Sequence, residues 1–90
     1  MTDAGIESRV LRTEDVTGLV AEIPEGHRHL RTTLTLADGT SLTLQEATVA
    51  AIVRAYTLIK TDSARTRVAM SGRAMGERKV DFAEWQLVEE

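Results

Sequence analysis

Residues 43–61 read TLQEATVAAIVRAYTLIKT, and their apolar side chains return every three or four positions, which is the period of a helix. At ~100° per residue, Val49, Ile52, Val53, Tyr56 and Ile59 form one stripe, and Ala51, Ala55 and Leu58 widen it to an arc of roughly 220°. Glu46, Arg54, Thr57 and Thr61, with the small Ala50, are left for water. A helix lying on one sheet needs an apolar arc of only a little more than ~100°, so the surplus predicts a second cover. The larger side chains are assigned to the chain's own sheet. Ala51, Ala55 and Leu58 are then the candidate oligomer interface, a strip of small residues along which another helix or a sheet edge can approach closely. The Thr43/Glu46 spacing matches a reciprocal capping box and predicts a start at Thr43. Asp62 and Ser63 favour turns, and Lys60 suits the negative end of the helix dipole, so the helix is expected to end near 61–63.

Upstream, two glycine-containing turns set the strand pairing. In Leu36-Ala37-Asp38-Gly39-Thr40, a three-residue loop with Gly39 in the left-handed position of a bulge pairs Leu36 with Thr40 and Leu34 with Leu42. Leucines 34, 36 and 42 then share a face. The same device in Ile23-Pro24-Glu25-Gly26-His27 would set Pro24 at the turn's second position and Gly26 at a positive φ. Its register pairs Val20 with Leu30 and Val16 with Leu34, and brings Glu22 opposite Arg28. One buried face of Val16, Val20, Leu30, Leu34, Leu36 and Leu42 results. Residues 13–23 also admit a helix, because Val16, Leu19, Val20 and Ile23 are spaced i, i+3, i+4, i+7 behind Thr13. The strand is preferred, since Gly18 weakens a helix and the two turns agree.

Downstream, Val68, Met70 and Ala74 alternate with Arg67, Ala69, Ser71 and Arg73 as in a half-buried strand. Residues 76–79 suit a turn. In VDFAEWQLVEE the apolar parity shifts from Val80 and Phe82 to Trp85 and Leu87. A bulged strand with its irregularity near Ala83 and Glu84 restores one face, whereas Asp81 capping Glu84 would start a short helix instead. The bulged strand is favoured.

The expected fold is therefore α+β, an antiparallel sheet of about five strands with one central helix, in the order β-β-β-α-β-β. Residues 1–8 read as a loose tail and 9–90 as a single domain. In element order alone the chain resembles an oligonucleotide-binding barrel, the OB-fold, whose helix lies between its third and fourth strands. That resemblance implies a single-stranded nucleic-acid surface.

Ninety residues allow one core. An apolar fraction of 42% beside 28% charged residues is that of a folded soluble domain rather than a disordered chain. No run is long and apolar enough to span a membrane, the start MTDAGIESR has no signal-like apolar centre, and the absence of cysteine excludes thiol chemistry. A cytoplasmic protein is expected. The net charge of −3 is unevenly placed, because residues 54–79 carry seven basic and two acidic side chains while the remainder is acidic. Such a block serves as a solvated face or meets an anionic partner.

Few residues assemble chemistry. His27 and His29 alternate on one strand with Glu25 nearby, but a metal needs a third firm ligand, so no metal site is assigned. Asp38-Gly39-Thr40 has glycine where the aspartic-protease pattern needs a hydroxyl residue, and Gly72 to Gly76 lacks the Gly-Lys-Ser/Thr ending of a phosphate loop. No serine or threonine has a histidine and an orienting third group in any recognisable pattern. The expectation is a non-enzymatic protein without cofactor that acts by interaction, most simply as a homodimer, with a protein partner also possible in principle. The alternative is a weak single-stranded nucleic-acid binder using the basic hairpin 65–79 through Arg65, Arg67, Arg73 and Lys79.

Overall fold

The computed structural model describes residues 8–76 and 85–90. Its elements follow the expected order: β1 (Val16–Glu22), β2 (Arg31–Leu36), β3 (Ser41–Gln45), α1 (Glu46–Lys60), β4 (Met70–Ala74) and β5 (Trp85–Glu89). The five strands form two antiparallel sheets, β1-β2-β3 and β4-β5. Among the described residues the two sheets share no strand pair, so the described strands stand as two sheets rather than one and do not close into a barrel of the OB type.

The β2–β3 hairpin has the expected geometry. Gly39 has φ +90°, the Gly39 amide donates to the Leu36 carbonyl at 2.9 Å, and the Leu36 amide donates to Thr40 at 2.8 Å. Leu34 stands opposite Leu42. Asp38 Oδ1 accepts from the Thr40 amide at 2.9 Å, closing an Asx turn over the bend, and Arg9 lies 3.8 Å from the same carboxylate.

β1 is a strand, with only the short 3₁₀ turn Thr13–Asp15 before it, but its register differs from expectation. Glu22 faces Arg31 rather than Arg28, Leu19 faces Leu34, and Val16 faces Leu36. The three-residue turn at 24–26 is replaced by an eight-residue connection from Ile23 to Leu30. Within it the His27 amide donates to Pro24 at 2.9 Å, so Pro24 takes the first turn position rather than the second. Gly26 keeps its positive φ, at +80°. Two forces displace the shorter hairpin. The Leu30 amide is claimed by Glu46 Oε1 at 2.6 Å, which removes Leu30 from the ladder. A bulge between Val16 and Gly18 brings Val16 and Leu19 to the same face despite their odd spacing. Strand alternation then puts Val16, Leu19, Ala21, Thr32, Leu34, Leu36, Leu42 and Leu44 on one face. Val20 falls on the other face and is exposed.

The helix begins three residues later than the Thr43 start expected from the capping box. Gln45 occupies the cap position without a side-chain cap bond. Thr43 remains in β3, where its hydroxyl pairs with that of Thr33 at 3.0 Å, and Glu46 serves Leu30 instead of a box. The other end is as expected: α1 stops at Lys60, the Thr61 hydroxyl donates to Thr57 at 2.7 Å, and Asp62 caps a turn through the Ala64 amide at 3.0 Å. Trp85–Glu89 is strand. The proposed bulge at Ala83 and Glu84, the alternative cap at Asp81 and the turn residues 77–79 lie outside the described residues, as does most of the expected tail.

Gly39 tests the hairpin. A Cβ there meets nothing within 4 Å, so Gly39→Ala isolates the backbone cost of a positive φ and should lower stability by about 1 kcal/mol in urea unfolding. Asp38 supplies a pH test. The Thr40 amide, then the Thr40 hydroxyl, with Arg9 contributing, hold its carboxyl below the usual aspartate range. A depressed folded value means the contribution is present above about 3.9 and disappears as pH falls through the folded value. The stability difference between wild type and Asp38→Asn should thus be constant at neutral pH and close in acid.

Candidate interaction surface

Which side of α1 meets the chain's own sheet is decided at the β3–α1 junction. Strand passes to helix from Gln45 to Glu46 without an intervening loop, and the carboxylate of Glu46 is tied to the Leu30 amide at 2.6 Å, with His29 Nδ1 3.8 Å from its other oxygen. Those restraints fix the rotation of the helix about its axis. The face turned inward carries Ala51, 2% exposed, with Ala55 and Leu58 half-buried. On the three-stranded sheet the covered residues are Leu36, 4% exposed, and Thr32, 8% exposed, both on the β2 face that also carries Leu34.

This is the reverse of the expected assignment. Ala51, the centre of the candidate interface strip, is covered within the single chain, and Ala55 and Leu58 are partly covered beside it. The face expected to be internal is open: Ile52 is 55%, Val53 56% and Tyr56 63% exposed. Val49 and Ile59 border it, half-buried. The physical reason is that small side chains let the helix axis approach the sheet closely, while the junction leaves no slack to roll the larger ones inward.

The β4–β5 hairpin joins the helix from another side. Arg54 Nη2 donates to the Leu87 carbonyl at 3.1 Å and approaches Met70 Sδ at 3.9 Å. At ~100° per residue, Arg54 lies ~160° around the helix from both Ile52 and Tyr56, so the open stripe points away from the hairpin. Within the hairpin the Trp85 ring lies over Gly72, where an added Cβ would come within 2.5 Å of the indole.

The basic residues of the alternative site differ in their settings. Arg65 is half-buried and ion-paired with Glu89. Arg67 is exposed in the segment before β4, and Arg73 is exposed on β4 opposite Gln86. Lys79 lies outside the described residues. Among the described residues no three histidine, aspartate or glutamate side chains come together as a metal site. A shallow open groove of ≈ 480 Å³ runs along Arg31, Thr43, Leu44, Gln45 and Thr48, and Arg31 is the one ionisable group in that lining. Among the described residues no helix is long and apolar enough to cross a membrane.

Comparison of the chain with protein-family models, with curated proteins and with solved structures finds no match. The functional reading therefore rests on the surface itself. Its signal in the sequence was the width of the apolar arc. What the arc alone did not carry was its rotation, which follows from the direct strand–helix junction.

The two sides of α1 should respond oppositely to substitution. Ala51→Leu overfills a closed contact and should cost about 1–3 kcal/mol, whereas Val53→Ala at an exposed position should stay within about 0.5 kcal/mol. Urea unfolding followed by the single tryptophan, Trp85, at submicromolar protein makes the comparison.

Proposed function

We propose that this chain is a small structural or interaction protein that works as a self-associated unit, with two copies the simplest form. The observation that carries this reading is the outward stripe of Ile52, Val53 and Tyr56, each more than half exposed. Elsewhere Leu19, Ile23 and Leu42 are exposed as well, and among the described residues the buried apolar side chains are Leu36 and Ala51. Fully burying one large apolar side chain is worth about 1.5–3 kcal/mol, so leaving three of them more than half exposed on one helix face forgoes several kcal/mol, a sizeable part of the net stability of a small domain. Small domains with thin cores commonly complete them by association, and contiguous apolar surface on a folded chain marks such a contact. A second copy is present wherever the chain is made, and a closed two-fold pair satisfies both stripes at once.

Sedimentation across the micromolar range tests the reading. Wild type should pass from monomer to dimer as concentration rises, and Tyr56→Asp should remain monomeric at the same concentrations. A wild-type chain that sediments as a monomer throughout would refute it.

A further inference from the structure

Resting on that reading of the helix face, we infer that the two copies pair through α1 in antiparallel orientation, with Val53 at the two-fold axis and Glu46 of each helix against Lys60 of the other. Three observations lead there. Glu46, Val53 and Lys60 are spaced seven apart, so they occupy one line along a helix that packs on another. With Val49, Ile52, Tyr56 and Ile59 taken as the a and d seam, that line is position e. The opposite flank, position g, holds Thr48 and Ala55, both partly covered on the chain's own side. The e line is therefore the flank open to a partner.

Orientation follows from charge. In a parallel pair each e residue faces the g residue five positions earlier on the other helix, so Lys60 would look toward Ala55, which carries no charge, and Glu46 toward position 41, which lies in β3 and not on the helix. In an antiparallel pair e faces e, and the residues meeting across the axis sum to the same value on both sides of Val53. Glu46 then reaches Lys60 at each end, ~21 Å apart along the helix at 1.5 Å per residue, and the helix dipoles oppose. Glu46 remains available, because its side chain is 48% exposed, and an ionised carboxylate has about four acceptor positions, of which the Leu30 amide takes one while His29 Nδ1 stands 3.8 Å from the other oxygen. A contact along four turns of one helix is small beside the roughly 800 Å² per partner of a standard interface, so the sedimentation test spans the micromolar range.

The chain has no cysteine, so disulfide trapping reads the geometry directly. Glu46→Cys and Lys60→Cys chains, mixed and oxidised, should yield the 46–60 mixed dimer, identified by mass; predominance of 46–46 and 60–60 dimers would overturn the antiparallel assignment. Val53→Cys, which does not touch the Leu30 contact, should trap a 53–53 dimer even where Glu46→Cys folds poorly, and failure to do so while wild type dimerises also overturns it. Lys60→Glu, which leaves the Leu30 contact intact, should weaken dimerisation by ~10-fold, the effect of two exposed pairs turned repulsive. A dimer indifferent to Lys60→Glu defeats this geometry and leaves self-association standing, whereas a wild-type monomer defeats both.

Discussion

The absence of any loop between Gln45 and Glu46 is the constraint from which the rest of the arrangement follows. A helix joined to a strand through several flexible residues can roll until its largest side chains are buried. Here the first helical residue is anchored on both sides, by the strand before it and by the bond from the Leu30 amide to its carboxylate. Rolling α1 would break that bond, a charge-assisted one, and hand the Leu30 amide back to solvent. The rotation is therefore set before packing is optimised. Ala51 faces inward because of where the helix starts.

Close approach and burial then pull in different directions. Ala51 is closed off at 2% exposure but removes little apolar surface from water, while Ile52, Val53 and Tyr56 keep more than half of theirs exposed. Thr32, at 8% exposure, sets a polar residue among the covered side chains of β2. The folded chain thus gains from β2–β3 pairing and from the Arg54 tie to the second hairpin, and gains less than its composition would allow from the helix.

What could be read in the sequence was local. The Asp38-Gly39 bend, the opposition of Leu34 and Leu42, the strand identity of β1 and the end of α1 all follow from turn chemistry and short-range periodicity. What escaped depended on competition between distant groups. The Leu30 amide could serve a hairpin ladder or the Glu46 carboxylate, and nothing within residues 23–30 says which. The spacing of Val16 and Leu19 looked helical because a strand without a bulge would set them on opposite faces; one extra residue at Thr17 removes the conflict, and its hydroxyl donates to the Thr35 carbonyl at 3.2 Å. Thr43 and Glu46 had the spacing of a capping box, but each found a partner on β2 or just before it. The width of the apolar arc on α1 was legible, whereas its rotation was not, because periodicity gives relative angles around a helix and no absolute one.

The position of Arg54 carries a consequence for any assembly built on the open stripe. Its guanidinium holds the Leu87 carbonyl from nearly the opposite side of α1 to Ile52 and Tyr56. A partner laid on the stripe therefore approaches without competing for the hairpin, and the two contacts of the helix are independent in the sense that distant sites are usually additive. In a two-fold pair the β4–β5 hairpins come to lie on the outer flanks, with Arg73 and Trp85, exposed in the single chain, displayed once on each side. The helix of the single chain has three surfaces: small residues on its covered side, an arginine toward the hairpin, and large apolar side chains left open. The excess girth that one sheet cannot hide is divided among them by the geometry of a single junction.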